Sequence, residues 1–592
     1  MKFNFRFVYI YSNSFFMCGI FAVFSNTSFS LGKDSKHFFQ TIEENVKLMD
    51  YRGETSNKLI IDNKVFLYHR RLAINDISSA GNQPFKHSSG VFCIVNGEIY
   101  NYQEVLDSGI IKDVKYKFKS SSDCEVLIPL YLKFGTQFVK QLRGMFSFVL
   151  YDSRKKLLLA GRDHIGMTSM YIGEDNENTY FSSDLKVLTG ICSNVKNMEA
   201  GCIYINSKSV EGSNVFNYLD KTGWRSEEDT ISVIQTLKKV ESSNFQIVLE
   251  EIRNRFINTV KSHLKSDVPV GVLLSGGLDS SLVAAVVNRL KSEGHFEQEI
   301  NTFTIGVEDS VDILAADKVA RHINSNHVAY NFEAEDAVTV LEDVIYAIET
   351  YDITTVRASI PLYLLSTWIK EDTDVVVILS GEVSDEIFAG YSYFKYAPSS
   401  IELFLETKEK VEKLQKYDCL RAHKATICNT IELRVPFGDK MFVDYVMNLG
   451  PECKMYDFNS GNDENAGIEK YILRKAFEGW LPEEILWRKK EQFSDGVSSD
   501  KENVIETLKK YADSEISDKE FETRYELYPV NTPSTKEGLL YYKIFQKLFK
   551  HDSAIQTVDH NTKSVACSTE RGLKWLNISE DNSANDPSGR IQ

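Results

Sequence analysis

Cys18 heads the run Met17-Cys18-Gly19-Ile20-Phe21, a thiol placed seventeen residues behind the first methionine. The thiolate is the attacking form of cysteine, and an unperturbed thiol with pKa ~8.5 needs a base near neutral pH. A free α-amine on the same residue, pKa ~8, can take that proton where a peptide nitrogen cannot. Met17 is therefore expected to be the working start, with its removal exposing Cys18. The preceding leader or mis-assigned start, 1–17, carries Lys2 and Arg6 and then Phe7–Tyr11, broken by Ser12-Asn13-Ser14 and lacking an A-x-A cleavage signature.

A second chemistry begins where Gly271-Val272-Leu273-Leu274 runs into Ser275-Gly276-Gly277-Leu278-Asp279-Ser280-Ser281 and an apolar helix follows over Leu282–Leu290. Strand, glycine loop and helix N-terminus together make a phosphate cradle: the glycines let backbone amides approach, the hydroxyls add donors, and the helix dipole favours negative charge. Asp279 makes sense beside phosphates if it holds Mg2+. Val375–Leu379 leads likewise into Ser380-Gly381-Glu382-Val383-Ser384-Asp385-Glu386, where three carboxylates follow a buried strand. An ordinary βα turn is the plain alternative for the first loop, and a solvated acidic loop for the second.

The elements around these residues divide the chain. Short strands at Phe92–Val95, Phe146–Tyr151 and Lys156–Ala160, separated by turn signals, suggest stacked antiparallel sheets over 18–210. A polar stretch, 211–244, reads as a linker. From 245 to 550, helical patterns alternate with Val268–Leu274, Thr302–Val307 and Val375–Leu379, as in a parallel sheet with ligands at its carboxyl ends. Residues 551–592 read as a C-terminal tail. The net charge of −16 disfavours a nucleic-acid surface. No run approaches the ~18 apolar residues of a membrane span. Nine cysteines, an odd number without metal-ligand spacing, suggest reduced thiols and a cytoplasmic setting.

The first loop resembles the pyrophosphate loop of the ATP-pyrophosphatase superfamily. With the second loop, and with Asn96-Gly97-Glu98-Ile99-Tyr100-Asn101, Gly161-Arg162-Asp163, Glu349–Ser359, Glu432–Phe437, Glu491–Gly496 and Asp586–Arg590, the chain resembles glutamine-dependent asparagine synthetases from Met17 to Gln592. That resemblance implies an α+β N-terminal-nucleophile (class II glutaminase) sandwich domain followed by an α/β parallel-sheet ATP-pyrophosphatase domain. It implies that Cys18 attacks the glutamine amide, Asn96 and the Gly97 amide form the oxyanion hole, Arg71 clamps the α-carboxylate beside Leu72, Ala73, Ile74 and Asn75, and Glu98 and Asp123 receive the α-ammonium. Asn96-Gly97 also carries the signature of a tight hairpin turn.

In the second domain the resemblance assigns Leu273, Ser275, Gly276, Gly277, Asp279, Ser280, Ile305, Ser380 and Gly381 to ATP, with Leu273 and Ile305 equally readable as core. It assigns Thr354 and Arg357 to aspartate or pyrophosphate, Glu382 and Lys470 to catalysis, and Asp279 and Asp385 to Mg2+. The implied reaction forms β-aspartyl-AMP, which ammonia then attacks to give asparagine, AMP and pyrophosphate. An apolar channel between the sites and a possible homodimer come with it. Four departures from the pattern stand out: Tyr51-Arg52-Gly53-Glu54-Thr55 replaces HRGPD, Ser169 replaces a proline, Gly438 replaces an apolar residue, and Val383 replaces a glycine. If that glycine position needs positive φ, valine is expected to be strained there. A catalytically weakened homologue and an ammonia-dependent enzyme are the competing readings.

Overall fold

The computed structural model describes residues 18–29, 33–206, 214–458, 465, 467–490, 496–498, 503–559 and 569–576. The leader, Cys567, the Glu491–Asp495 part of one motif and the Asp586–Arg590 run lie outside them.

Twelve strands build the first half of the described chain: β1 (Gly19–Ser25), β2 (Thr55–Ile61), β3 (Val65–Arg71), β4 (Phe85–His87), β5 (Val91–Ile99), β6 (Gly144–Asp152), β7 (Leu157–Arg162), β8 (Tyr171–Glu174), β9 (Asn178–Ser182), β10 (Asn194–Asn197), β11 (Cys202–Ile205) and β12 (Val215–Asn217). They form two antiparallel sheets, in the orders β10-β8-β9-β1-β3-β2 and β12-β11-β7-β6-β5-β4. Successive side chains of a strand face opposite ways, and β1 uses both faces. Ile20, Ala22 and Phe24 pack between the sheets with Leu67, Ile94 and Val149. Phe21 and Val23 point outward into a cluster with Ile42 and Val46 of the helix over Lys33–Val46. Both faces buried, β1 is a fixed mount for Cys18 at its head.

Asn96-Gly97 is not a turn. Both residues lie inside β5, with Asn96 opposite Ser147 and Gly97 opposite Phe146 on β6. The stretch expected as a linker is structured: β12 closes the second sheet against β11, and Thr230–Thr236 forms a short helix that buries Val233.

The second half carries a parallel sheet of β13 (Val270–Leu273), β14 (Asn301–Gly306), β15 (Asn326–Asn331), β16 (Val377–Leu379) and β17 (Glu432–Arg434), in the order β15-β14-β13-β16-β17. The chain moves outward from β13 to β15 and then returns to the other side of β13, so the order reverses between β13 and β16. Crevices at such switch points bind ligands. Both chemical loops emerge there.

The helices that position the sites are α1 (Leu185–Thr189), α2 (Phe245–His263), α3 (Leu278–Ser292), α4 (Ile353–Asp372), α5 (Ser384–Ile387), α6 (Asp418–Ile427) and α7 (Tyr471–Ala476). α3 buries Leu282, Val283, Val286, Val287 and Leu290. Part of the expected tail docks on the first domain: Val195 N donates to Ser553 Oγ at 3.2 Å, and Asn197 Nδ2 to the Thr557 carbonyl at 2.7 Å.

Candidate active sites

Cys18 is half-buried, with Sγ donating to the Leu72 carbonyl at 3.5 Å. Burial pushes the thiol up to about 12, while the Leu72 backbone and Arg71 pull the other way. Such a thiol does not ionise unaided at neutral pH, which is the reason a proton acceptor is needed beside it. Asn96 is fully buried, and its Nδ2 donates to Ser183 Oγ at 3.5 Å. The same hydroxyl accepts from Ile20 N at 3.1 Å, stitching the strand behind Cys18 to Asn96. Gly97 holds φ at 127°, and a Cβ there would lie 2.0 Å from the Met145 carbonyl oxygen, so no other residue fits.

Arg71 is turned onto its own loop. Nη1 donates to the Ser78 carbonyl at 2.6 Å and Asn82 Oδ1 at 2.9 Å, and Nη2 donates to the carbonyls of Asn75, at 3.5 Å, and Asp76. A ligand carboxylate must share the guanidinium with these acceptors. Leu72 and Ile74 are buried and Ala73 and Asn75 half-buried, with Asn75 Nδ2 donating to Glu98. Burial and the neighbouring Asp123 raise the Glu98 carboxyl well above its usual range, and burial also raises Asp123 against the Ile99 N–H it accepts at 2.5 Å. Two buried carboxylates that resist ionising gain from a cation between them, which suits an α-ammonium.

One contact here was missing from the sequence reading. Arg434, on β17 of the second domain, pairs with Glu432 at 2.7 Å and lies 3.4 Å from Glu98. The Glu432–Phe437 motif was legible, but not that it reaches the other domain's pocket.

At the switch point, Ser275, Gly277, Asp279, Ser280, Leu273, Ile305, Thr354, Ser380, Gly381, Glu382, Asp385 and Lys470 line one cavity. The first loop is self-tied: Ser275 N donates to Ser280 Oγ at 3.1 Å, and Gly277 N to Ser275 Oγ at 3.3 Å. Gly276 turns at φ 71°, and a Cβ there would lie 2.4 Å from Ala316 N. Lys470 Nζ sits 2.6 Å from a carboxylate oxygen of Asp279 and 2.6 Å from one of Asp385, joining the two loops. Ser384 Oγ, on the second loop, donates to Asp279 at 2.7 Å. Burial alone would raise Asp385, but Lys470 and Lys490 outweigh it and bring the carboxyl down to about 2.

Arg357 does not reach this cavity. It forms a bidentate pair with Glu537, at 2.8 and 2.5 Å, so the expected ligand contact is not supported by its placement. Charged residues that the sequence reading does not name also line the cavity, among them Lys490, 3.0 Å from Asp385, and Arg421, which donates to Glu382 at 2.7 Å and to Asp418 at 3.2 Å. The adjacent Lys489-Lys490 pair and the helical spacing of Asp418 and Arg421 were the available signals.

The departures find partners. Tyr51 donates to Asp184 Oδ2 at 2.8 Å, and Ser169 Oγ donates to the Ser183 carbonyl at 2.7 Å. Val383 does adopt the left-handed conformation, φ 76° and ψ −15°, with its side chain buried. Gly438 is its neighbour: a Cβ at 438 would lie 3.5 Å from Val383 Cγ2, an ordinary contact distance, and 2.9 Å from Ile165 Cδ1, which is too close. The two departures thus sit side by side in the fold.

The family model for the glutamine amidotransferase domain matches residues 17–218, and that for asparagine synthase matches 251–408 and 406–576. The chain is 38% identical to asparagine synthetase B [glutamine-hydrolyzing] of Escherichia coli (strain K12), covering 97% of this chain and 98% of the relative. It is 40% identical to the Zea mays asparagine synthetase [glutamine-hydrolyzing] and 39% identical to asparagine synthetase [glutamine-hydrolyzing] 1 of Arabidopsis thaliana, each over 97% of this chain and 93% of the relative. With two site-bearing domains in this order and relatives this similar along nearly the whole length, the chain belongs to the glutamine-hydrolysing asparagine synthetase family.

Proposed function

We propose that this chain amidates L-aspartate to L-asparagine with ATP, using ammonia released from L-glutamine. One observation carries the reading: a thiol site and a switch-point phosphate site occur in one chain, and Arg434 of the synthetase half completes the thiol pocket at Glu98. In the first site Arg71 takes the α-carboxylate, while Glu98 and Asp123 take the α-ammonium. The Cys18 α-amine receives the thiol proton and the thiolate attacks the amide carbon. Asn96 Nδ2 and Gly97 N–H meet the oxyanion where negative charge develops. Ammonia leaves, and water then cleaves the thioester.

In the second site the aspartate β-carboxylate attacks the α-phosphorus of ATP. The amides and hydroxyls of Ser275–Ser280, with Lys470, take the departing pyrophosphate. Ammonia attacks the resulting acyl phosphate anhydride carbon, Glu382, steadied by Arg421, takes a proton from the incoming amine, and AMP leaves. Asp279 and Asp385 fit Mg2+, a hard cation that takes one or two carboxylates together with phosphate oxygens. When bound it would offset phosphate charge. Leu72, whose carbonyl accepts from Cys18, and Val383, next to Glu382 of the synthetase cavity, belong with Ile74, Ile165, Met167 and Val435 to one continuous buried apolar cluster, which supports a passage for neutral ammonia shielded from water. The cysteines among the described residues are all free, which supports a cytoplasmic setting.

Cys18→Ala tests the division of labour. Asparagine formation from glutamine should be lost and formation from added ammonia kept. Loss of both would contradict the assignment of separate sites.

A further inference from the structure

Lys424 lies on α6, fully buried, and is not among the residues lining the synthetase cavity. Its ammonium crosses the domain boundary. Nζ donates to Asp184 Oδ1 at 2.9 Å and to the Ser183 carbonyl at 3.4 Å, both in the first domain, and to Glu349 in its own. Two of these contacts lead to the thiol chemistry, by different routes. Asp184 is gripped by Arg52 through two bonds of 2.7 Å, and Arg52 Nη1 donates to the main-chain carbonyl of Cys18 at 3.2 Å. Ser183 presents the hydroxyl that ties Ile20 N to Asn96. Glu349 accepts the N–H groups of Leu185 at 2.8 Å and Lys186 at 3.1 Å, at the start of α1.

Glu349 holds φ at 57°, a conformation a non-glycine residue keeps only where its surroundings over-determine it. It stands three residues before Asp352, which caps α4, the helix that presents Thr354 to the synthetase cavity. The set holds three cations, Arg52, Lys186 and Lys424, against two carboxylates, Asp184 and Glu349, with the Lys186–Glu349 pair at 3.7 Å. Removing the Lys424 charge leaves the rest balanced, so no buried anion is stranded.

We propose that Lys424, backed by Glu349, is a positioning residue for the glutaminase reaction although both belong to the synthetase domain. Lys424 fixes the Cys18 backbone through Asp184 and Arg52, and fixes Asn96 through Ser183. This rests on Cys18 being the nucleophile. The test uses full-length Lys424→Met, with Lys424→Gln as a second variant, and measures glutamine hydrolysis and ammonia-dependent asparagine synthesis side by side. The kcat for hydrolysis should fall about tenfold or more with KM for glutamine changed less than about threefold, because nucleophile and oxyanion donor lose registry while the substrate's charged ends keep their partners. Ammonia-dependent synthesis should stay within about twofold. Unchanged hydrolysis overturns the proposal, and so does an equal loss in both reactions. Cys18→Ala run in parallel separates the two claims: if it still hydrolyses glutamine the nucleophile assignment fails, and if it is inactive while both Lys424 variants hydrolyse at the parent rate, the positioning role alone fails.

Discussion

The loops after β13 and β16 leave neighbouring strands of one sheet and each passes through a residue at positive φ, a glycine in one and a valine in the other. Gly276 turns at φ 71° and Val383 at φ 76°. At 276 a side chain has nowhere to go, since its Cβ would meet the Ala316 backbone at 2.4 Å. At 383 the side chain is accommodated, buried beside Gly438. The backbone path is therefore set by the site, where Asp279 and Asp385 must both reach Lys470, and neighbouring space decides which residue can follow it. Valine at positive φ costs about 1–3 kcal/mol, which burial of its methyl groups in the core offsets.

The largest effect should come from making the first loop like the second. Gly276→Val is expected to lower ammonia-dependent synthesis about a hundredfold or more, because the phosphate-binding amides shift by the width of a clash, while glutamine hydrolysis is kept. Steady-state assays of both reactions check it, and a mild effect would show that the two turns are interchangeable. Next, Gly438→Leu should destabilise by about 1–3 kcal/mol through overpacking, chiefly against the Ile165 δ-methyl, and adding Ile165→Val, which removes that methyl, should recover part of that loss. Denaturant melts of the two singles and the double variant would show additivity instead if the positions are independent.

The ion set of the second loop gives a pH signature. Asp385 titrates at about 2 in the fold against an ordinary 3.8, so it stabilises above 3.8, and that contribution disappears as pH falls through about 2. The Tm difference between wild type and Asp385→Asn should hold steady above that window and shrink within it. The smallest effect belongs to Val383→Gly alone: strain relief and the loss of buried carbons, about 0.8 kcal/mol each, nearly cancel, leaving a change within about 1 kcal/mol. A larger loss in a thermal melt would mean the valine carries little strain.

Much of this was legible because it is written locally. A buried strand followed by Ser275-Gly276-Gly277 reads as a glycine turn entering a helix, and Val383 at a position the family fills with glycine pointed to positive φ. The strands at Phe146–Tyr151 and Lys156–Ala160 and the parallel run of the second sheet were readable for the same reason. What escaped depends on contacts distant in sequence. Arg434 meets Glu98 from another domain, Arg357 is taken by Glu537 far along the chain, and Gly438 stands beside Val383 only in the fold. Asn96-Gly97 misled as a turn because its glycine answers to the Met145 carbonyl across a strand pair, not to a hairpin. Tyr51 and Ser169 looked like losses, yet each supplies a hydroxyl to the Asp184–Ser183 segment that Lys424 also grips.

The account stands or falls on which bond of ATP breaks and where the glutamine nitrogen goes. Full-length protein given aspartate, ATP and amide-labelled glutamine should yield labelled asparagine with AMP and pyrophosphate in equal amounts. ADP and orthophosphate, or asparagine without the label, would contradict it.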